Sequence, residues 1–149
     1  MLEYRIKSYS DLTKDELYAL LQLRSEVFVV EQNCVYQDID GKDPKAFHVL
    51  GFKNEVLIAY TRLFKPGDYF KEASIGRVVV KKEERQHSYG HELMEVSIEA
   101  IKEHFKEKVV KISAQSYLKS FYNNFFLGFK EEGEEYLEDG IPHTAMRLI

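Results

Sequence analysis

The residues best placed to do chemistry lie between Val80 and Leu93. There Lys81-Lys82-Glu83-Glu84-Arg85-Gln86-His87-Ser88-Tyr89-Gly90-His91 separates a β-branched run, Ile75 and Val78 to Val80, from apolar residues at Leu93, Met94, Ile98, Ile101 and Phe105. The first pattern suits a strand over Ser74–Val80 buried on both faces. The second is the inner stripe of a helix. A loop in this position can hold an anion. Backbone N–H groups in a helix's first turn have no partner within the helix, and the helix dipole adds partial positive charge there. Glycine lets a phosphate approach the main chain, while Lys81, Lys82, Arg85 and His87 add cationic charge around it. A solvated charged loop is the plainer reading of the same residues, because strand–loop–helix units are common and one glycine discriminates little.

Other reactive side chains carry less. His87 and His91 have i, i+4 spacing, but His87 falls in the loop and the following run, His91-Glu92-Leu93-Met94-Glu95, lacks the HExxH order. A zinc site needs converging ligands, so no metal is expected. Cys34 is the single cysteine and has no base beside it in sequence, which makes a structural thiol the default. His143, next to Pro142, either reaches a cleft or begins the last strand. There is no G-x-S-x-G, P-loop or Rossmann fingerprint. The net charge is −4, and Glu83-Glu84 interrupt the basic patch, so no nucleic-acid partner is expected. No run of about eighteen apolar residues is present, so no spanning helix and no membrane role are expected. The opening residues, Met1-Leu2-Glu3-Tyr4-Arg5, lack an apolar signal core. With one unpaired cysteine, this leads to the expectation of a cytoplasmic protein.

These residues need a scaffold, and the chain predicts one. Its 149 residues, 44% hydrophobic and 13% aromatic, suit a single domain over residues 1–149 with a core that needs no staple. Leu2, Tyr4 and Ile6 alternate as a short strand. Thr13 and Glu16 have capping-box spacing, and Leu17, Leu20, Leu21, Arg24, Val27 and Phe28 continue a helix to about Val30. Glu31 to Lys45 is a polar loop or short irregular helix. Ala46–Phe52 and Glu55–Phe64 read as strands joined at Lys53-Asn54. After the central strand, loop and helix come a strand over Val109–Ala114 and a helix capped by Ser116. That helix carries Leu118, Phe121, Tyr122 and Phe125 and ends at Gly128. Lys130–Tyr136 and His143–Leu148 close the chain as a hairpin around Asp139-Gly140. The predicted class is α+β, or mixed α/β, with one central sheet of about seven strands flanked by helices. The strands that bracket the long helix are expected to be parallel, with a right-handed crossover.

Arg85-Gln86-His87-Ser88-Tyr89-Gly90, following a central strand and opening a helix, resembles the Gln/Arg-x-x-Gly-x-Gly/Ala signature of the GNAT acyltransferase superfamily, with Ser88 in place of the first glycine. A close resemblance to its ElaA-like branch extends over nearly the whole chain. It is carried by Leu23-Arg24 through Asp43, by Ile75-Gly76-Arg77-Val78-Val79-Val80, by Ala114-Gln115 with Phe121-Tyr122, and by Glu138-Asp139-Gly140-Ile141-Pro142-His143. The spacing of Arg24, Phe28, Asp38, Asp40 and Arg62 is also similar to that of acyl-homoserine-lactone synthases, too loosely to assign that activity.

The resemblance implies acetyl-CoA or a related acyl-CoA as donor and an amine-bearing small molecule or peptide as acceptor. In this family the central parallel strands splay apart, and pantetheine pairs with the exposed strand. That role maps onto Val78, Val79 and Val80. The pyrophosphate would sit on the backbone of His87 to His91, beside Arg85, Gln86, Ser88, Tyr89 and Gly90. A backbone N–H from Val78 to Val80 would stabilise the oxyanion formed when the amine attacks the thioester. Tyr122 matches the tyrosine that protonates the departing thiolate, with Phe121 packed beside it. On spacing alone Tyr122 is one of several aromatics on an amphipathic helix. The central strand has no interior carboxylate to act as base, so the base is left open among Glu31, Asp38, Asp40 and His48, with Glu31 and His48 taken forward. Arg24, Arg62 and Arg77 either fix an anionic acceptor or pair with the acidic loop. The sequence leaves a homodimer open. The rival to an N-acetyltransferase is an acyl-CoA-binding or interaction domain that has kept the fold and lost turnover, suggested by Ser88 and the missing strand carboxylate.

Overall fold

The computed structural model describes residues 2–124 and 127–149, so Phe125 lies outside the described residues. Seven strands form one mixed sheet in the order β1-β2-β3-β4-β5-β7-β6. They are β1 (Glu3–Ser8), β2 (Phe47–Lys53), β3 (Val56–Phe64), β4 (Ala73–Val80), β5 (Val110–Gln115), β6 (Lys130–Glu138) and β7 (Ile141–Leu148). Neighbours pair antiparallel except β4 and β5, which are parallel and joined through α2 (Tyr89–Phe105). This is the predicted mixed sheet with its parallel pair at the centre.

One face of the sheet packs on α2. Leu93, Met94, Ala100 and Ile101 meet Ile58, Ala59, Ile75, Ile112 and Ala114 there. Each fully buried large apolar side chain of this stripe contributes about 2 kcal/mol by leaving water. The other face takes α1 (Lys14–Arg24) and the turns that follow it, through Leu20, Leu23 and Val27 against Leu50, Tyr60 and Val79. The Thr13–Glu16 capping box forms in both directions and sets the start of α1.

Four local expectations need correction. The helix over the first α-region is regular only to Arg24, then widens into a π-helical turn over Ser25–Glu31. That wider winding brings Val27, Phe28, Glu31 and Gln32 to one cleft wall, a use typical of π-turns. The hairpin turn lies one residue later than predicted, at Asn54-Glu55, because Lys53 pairs with Val56 and both turn residues take positive φ, 50° and 67°. Ser116 does not cap a helix. Its hydroxyl bonds Thr144 across to β7, a 3-10 turn covers Ser116–Leu118, and α3 spans Lys119–Tyr122. Finally, β4 is not buried on both faces. Gly76, Arg77, Val78 and Val80 are half-exposed, because they line a cleft.

Candidate functional site

The cleft exists because β4 and β5 part company. They pair only at Ala73–Val110 and Ser74–Lys111, and the remaining length of both strands diverges. β4 is also irregular on its other edge. Gly76 pairs with Arg62 and Val79 with Tyr60, so Arg77 and Val78 together oppose Thr61. Such a bulge leaves part of the backbone outside the ladder and re-aims the side chains. Arg77 absorbs it with φ at +50°. The alternation is reset: Val78 and Val80 pack towards the α2 side, and Val79 towards α1.

The resulting cavity has a volume of about 650 Å³. Its floor is Ile75 to Val80 and Ile112; its walls come from the π-turn, α3 and the β6–β7 turn. At the C-terminal end of β4 the chain makes a 3-10 turn over Lys82–His87 and then enters α2. Ser88 is the hinge between the two, with φ 61° and ψ 21°. This is the left-handed conformation for which glycine is the usual residue. Gly90 is needed for a different reason: a Cβ there would come within 3.2 Å of the Phe121 ring. The first-turn N–H groups of α2 therefore open beside the cavity, an arrangement that can cradle an anion.

Of the residues expected at this site, Val78, Val79, Val80, Arg85, Gln86, Ser88, Gly90, His91 and Tyr122 all line the cavity, as does Glu31. His87 and Tyr89 do not. Tyr89 is packed into the core, and the His87 ring leans on it, so their contribution is restricted to the main chain. The Tyr122 ring is buried edge-on to Phe121 and Phe129. Among the described residues its hydroxyl has no hydrogen-bond partner. Burial, and to a smaller degree the Tyr117 phenol, pushes its pKa well above the usual tyrosine range. At neutral pH the phenol is protonated.

The base candidates fare less well. Glu31 is bound by Arg85 in a two-pronged ion pair, which holds its carboxyl below the usual range. Arg85 also donates to the Val80 carbonyl at 3.0 Å. His48 is fully buried and is not brought to the cleft. Its Nε2 meets the Asp43 carbonyl at 3.1 Å and its Nδ1 faces the Tyr60 hydroxyl, while burial lowers its pKa. Asp38 and Asp40 lie in an ion network with Asp43, Arg24, Arg62 and Arg77. Arg24, wholly buried, reaches Asp43 at 2.7 Å and Asp38 at 2.9 Å. The three arginines thus pair with the acidic loop, the structural alternative left open above.

Other lining residues were given no catalytic role above; His143, left between reaching a cleft and beginning the last strand, both lies in β7 and lines the cleft. Gln32 and Gln115 exchange amide hydrogen bonds across it at 3.1 and 3.2 Å. The Cys34 thiol donates to the Asp139 carbonyl. Ser113, Glu138 and His143 complete the wall. The block Glu138 to His143 carried the signal: a hairpin turning at Asp139-Gly140 sets Tyr136 opposite His143 and Glu138 opposite Ile141. Among the described residues no group of three His, Cys, Asp or Glu side chains is arranged to hold a metal.

Residues 9–149 match the model of the acetyltransferase (GNAT) domain. The chain belongs to the GNAT acetyltransferase family. It is 46% identical to protein ElaA of Escherichia coli K12 over 148 residues, covering 98% of this chain and 95% of that one. A UPF0039 protein of Schizosaccharomyces pombe is 42% identical over 99% of the chain and 97% of its own length. Among solved structures, an acyl-CoA N-acyltransferase from Pseudomonas aeruginosa superposes over both full chains with a TM-score of 0.91 at 42% identity. Escherichia coli ElaA does so with 0.91 at 44%. A CoA-dependent acyl-homoserine lactone synthase, BjaI, reaches a TM-score of 0.79 at 16% identity over 99% of this chain and 83% of its own, a likeness of fold alone. The GNAT fold accounts for the divided sheet, and no helix among the described residues is long and apolar enough to cross a membrane.

Proposed function

We propose that this GNAT protein is an N-acetyltransferase that moves an acetyl group from acetyl-CoA to a primary amine by direct attack in a ternary complex. The observation that carries this reading is the parting of β4 from β5 after Ser74 and Lys111, immediately before a helix start that faces the same cavity. The edge of Val78 to Val80 that faces β5 is unpaired and offers strand-type hydrogen bonds to pantetheine. The first turn of α2, with Ser88 and Gly90, receives the pyrophosphate. Arg85 adds charge there once it exchanges Glu31 for phosphate.

The reaction then needs three things from the chain. The thioester oxygen needs a donor as it becomes an oxyanion, a role for a β4 N–H at the bulge. The departing sulfur needs a proton, which Tyr122 can give because its phenol is protonated and faces the cavity. The amine needs to lose a proton before it attacks. Glu31 suits that poorly while Arg85 holds it, and His48 lies outside the cleft. A cytoplasmic setting fits the one unpaired cysteine.

The test is release of free CoA thiol from acetyl-CoA in the presence of a panel of primary amines and amino-terminal peptides. Acceptor-dependent release is the expected outcome. Donor binding without release across the panel would favour a non-catalytic acyl-CoA-binding domain instead.

A further inference from the structure

The wall formed by β6 and β7 holds a polar pair that is left incomplete. His143 is 6% exposed, lines the cleft and is fixed in one tautomer. Its Nδ1 lies 2.7 Å from the Ile141 carbonyl, an acceptor, so Nδ1 carries the proton. In the neutral ring Nε2 then holds the lone pair, and among the described residues it has no hydrogen-bond partner. Glu138 Oε2 lies 3.6 Å from it, beyond hydrogen-bond length, and is itself an acceptor. The other Glu138 oxygen is already served: Tyr136 donates to the Ser113 hydroxyl, and Ser113 donates to Glu138 Oε1 at 3.1 Å. Two acceptors thus point into the same space with nothing to donate to them. A largely shielded imidazole and a half-exposed carboxylate, each with spare acceptor capacity, make a place where a donor can bind.

A primary ammonium group is the complement of this pair. It carries three N–H donors and one positive charge, and a single nitrogen can reach both Nε2 and Oε2. Charge points the same way. Glu138 and Asp139 both line the cleft, and among the described residues neither has a lysine or arginine partner. The cationic Lys or Arg side chains in the lining are Arg77 and Arg85, and both are engaged, Arg77 by Asp38 and Asp40 and Arg85 by Glu31. A substrate carboxylate placed beside the amine would meet Glu138 and Asp139 with no free cation to receive it.

We propose that the acceptor nitrogen sits between His143 Nε2 and Glu138 Oε2, that His143 takes its proton, and that the acceptors are cationic amines with no carboxylate on the amine-bearing carbon. This rests on the acyltransfer reading and supplies its missing base. The ammonium gives one proton to Nε2, and its freed lone pair forms the N–C bond to the thioester carbonyl. The C–S bond breaks with its electron pair on sulfur, which takes the Tyr122 proton. The amide nitrogen sheds its second proton, which restores the Tyr122 phenol. His143 passes its proton to solvent, so one proton is released per turnover. Glu138 holds the ammonium and then the imidazolium by charge.

The experiment uses the full chain, labelled with nitrogen-15 in histidine and loaded with CoA, titrated with butylamine or with norvaline. Norvaline is the same amine with a carboxylate on the amine carbon. The expected result is a His143 spectrum of the Nδ1–H tautomer whose Nε2 signal moves with butylamine and resists norvaline. Glu138→Gln, at a half-exposed position and near-identical in shape, weakens the butylamine response about tenfold or more. A His143 signal indifferent to butylamine, or moved equally by norvaline, or unchanged in its response by Glu138→Gln, overturns the proposal. The same samples are assayed for acetyl-CoA-dependent acylation of butylamine. Acylation with an indifferent His143 removes the amine seat and leaves the acyltransfer reading standing. A responding His143 with no acylation of any amine does the reverse.

Discussion

Two polar clusters in this molecule look alike in composition and differ in completeness. Behind β4, Arg24, Arg62 and Arg77 meet Asp38, Asp40 and Asp43, with His48 and Tyr60 packed alongside. Each cation there has a carboxylate, and Arg24 and Arg62 are almost wholly shielded from water. On the cleft wall, Glu138 and His143 face each other with no donor between them, and across the cavity the Tyr122 hydroxyl also lacks a partner among the described residues. The first cluster is closed and holds the acidic loop against the sheet. The second is open and has capacity to bind and exchange protons. Buried charge alone marks neither role; what separates them is counter-charge: every arginine of the first cluster meets a carboxylate, although Arg62 Nε and Arg77 Nε make no hydrogen bond, whereas among the described residues Glu138 has no lysine or arginine partner.

If the contrast is sound, substitutions in the two clusters must fail in different ways. The largest effect is expected for Arg24→Leu. It leaves Asp38 and Asp43 short of a partner in a dry setting and should cost about 3–5 kcal/mol of stability by chemical denaturation. Any fraction that stays folded should bind donor normally. A loss of turnover without a loss of stability would break the comparison. Next comes Tyr122→Phe, expected to lower kcat by about a hundredfold with donor affinity and melting temperature little changed. Unchanged turnover would remove the proton-donor role.

Acid should attack the closed cluster first. Burial opposes ionisation of Asp40 and Asp43, but Arg62 and Arg24 overcome it and hold both carboxyls below their ordinary value of 3.8. Burial also opposes ionisation of Glu16, yet Lys7, the Thr13 N–H and Arg5 bring it from 4.5 to about 2. These carboxylates contribute stability above their unfolded pKa and lose it as pH falls through the folded one. His48, lowered by burial from 6.5, adds to the same slope, because the unfolded chain takes up its proton first. Stability should therefore fall from about pH 6.5 downward and steepen below about pH 4, as followed by thermal melts. A flat profile between pH 6 and 3 would contradict the buried pairing. The smallest effect is expected for Ser88→Gly. Relief of the left-handed serine is partly offset by the freer unfolded chain, so a gain below about 1 kcal/mol is expected, with donor affinity retained or improved. A loss of stability would mean that the serine hydroxyl does more than tolerate its conformation.

Much of this was legible in the chain. The order of strands and helices follows from alternation at Tyr4 and Ile6, helical spacing from Leu93 to Phe105, and the Asp139-Gly140 turn. The residues proposed to hold the donor, from Val78 to His91, lie close in sequence, so a local reading groups them. The residues proposed to receive the acceptor come from distant segments. Glu138 reaches Ser113 only through the pairing of β5 with β7 and of β7 with β6, His143 meets Gln115 in the same ladder, and Gln32 reaches Gln115 across 83 positions. Nothing in a linear pattern reports such a meeting. The bulge at Arg77 was hidden for another reason. A β-branched run reads as regular strand, while the extra residue opposite Thr61 is a property of how two strands register. His48 looked available because its sequence neighbours are ordinary; only the structure places it beneath Asp43 and Tyr60.

The central claim is that main chain at the split between β4 and β5, together with the first turn of α2, grips the acyl-CoA. Backbone amide hydrogen exchange, measured residue by residue with and without saturating acetyl-CoA, tests it directly. The account predicts slowed exchange concentrated at Val78 to Val80 and at Tyr89 to His91, with the edge strands β1 and β6 unaffected. Saturation by the donor with no change at those amides, or with protection elsewhere, would contradict it.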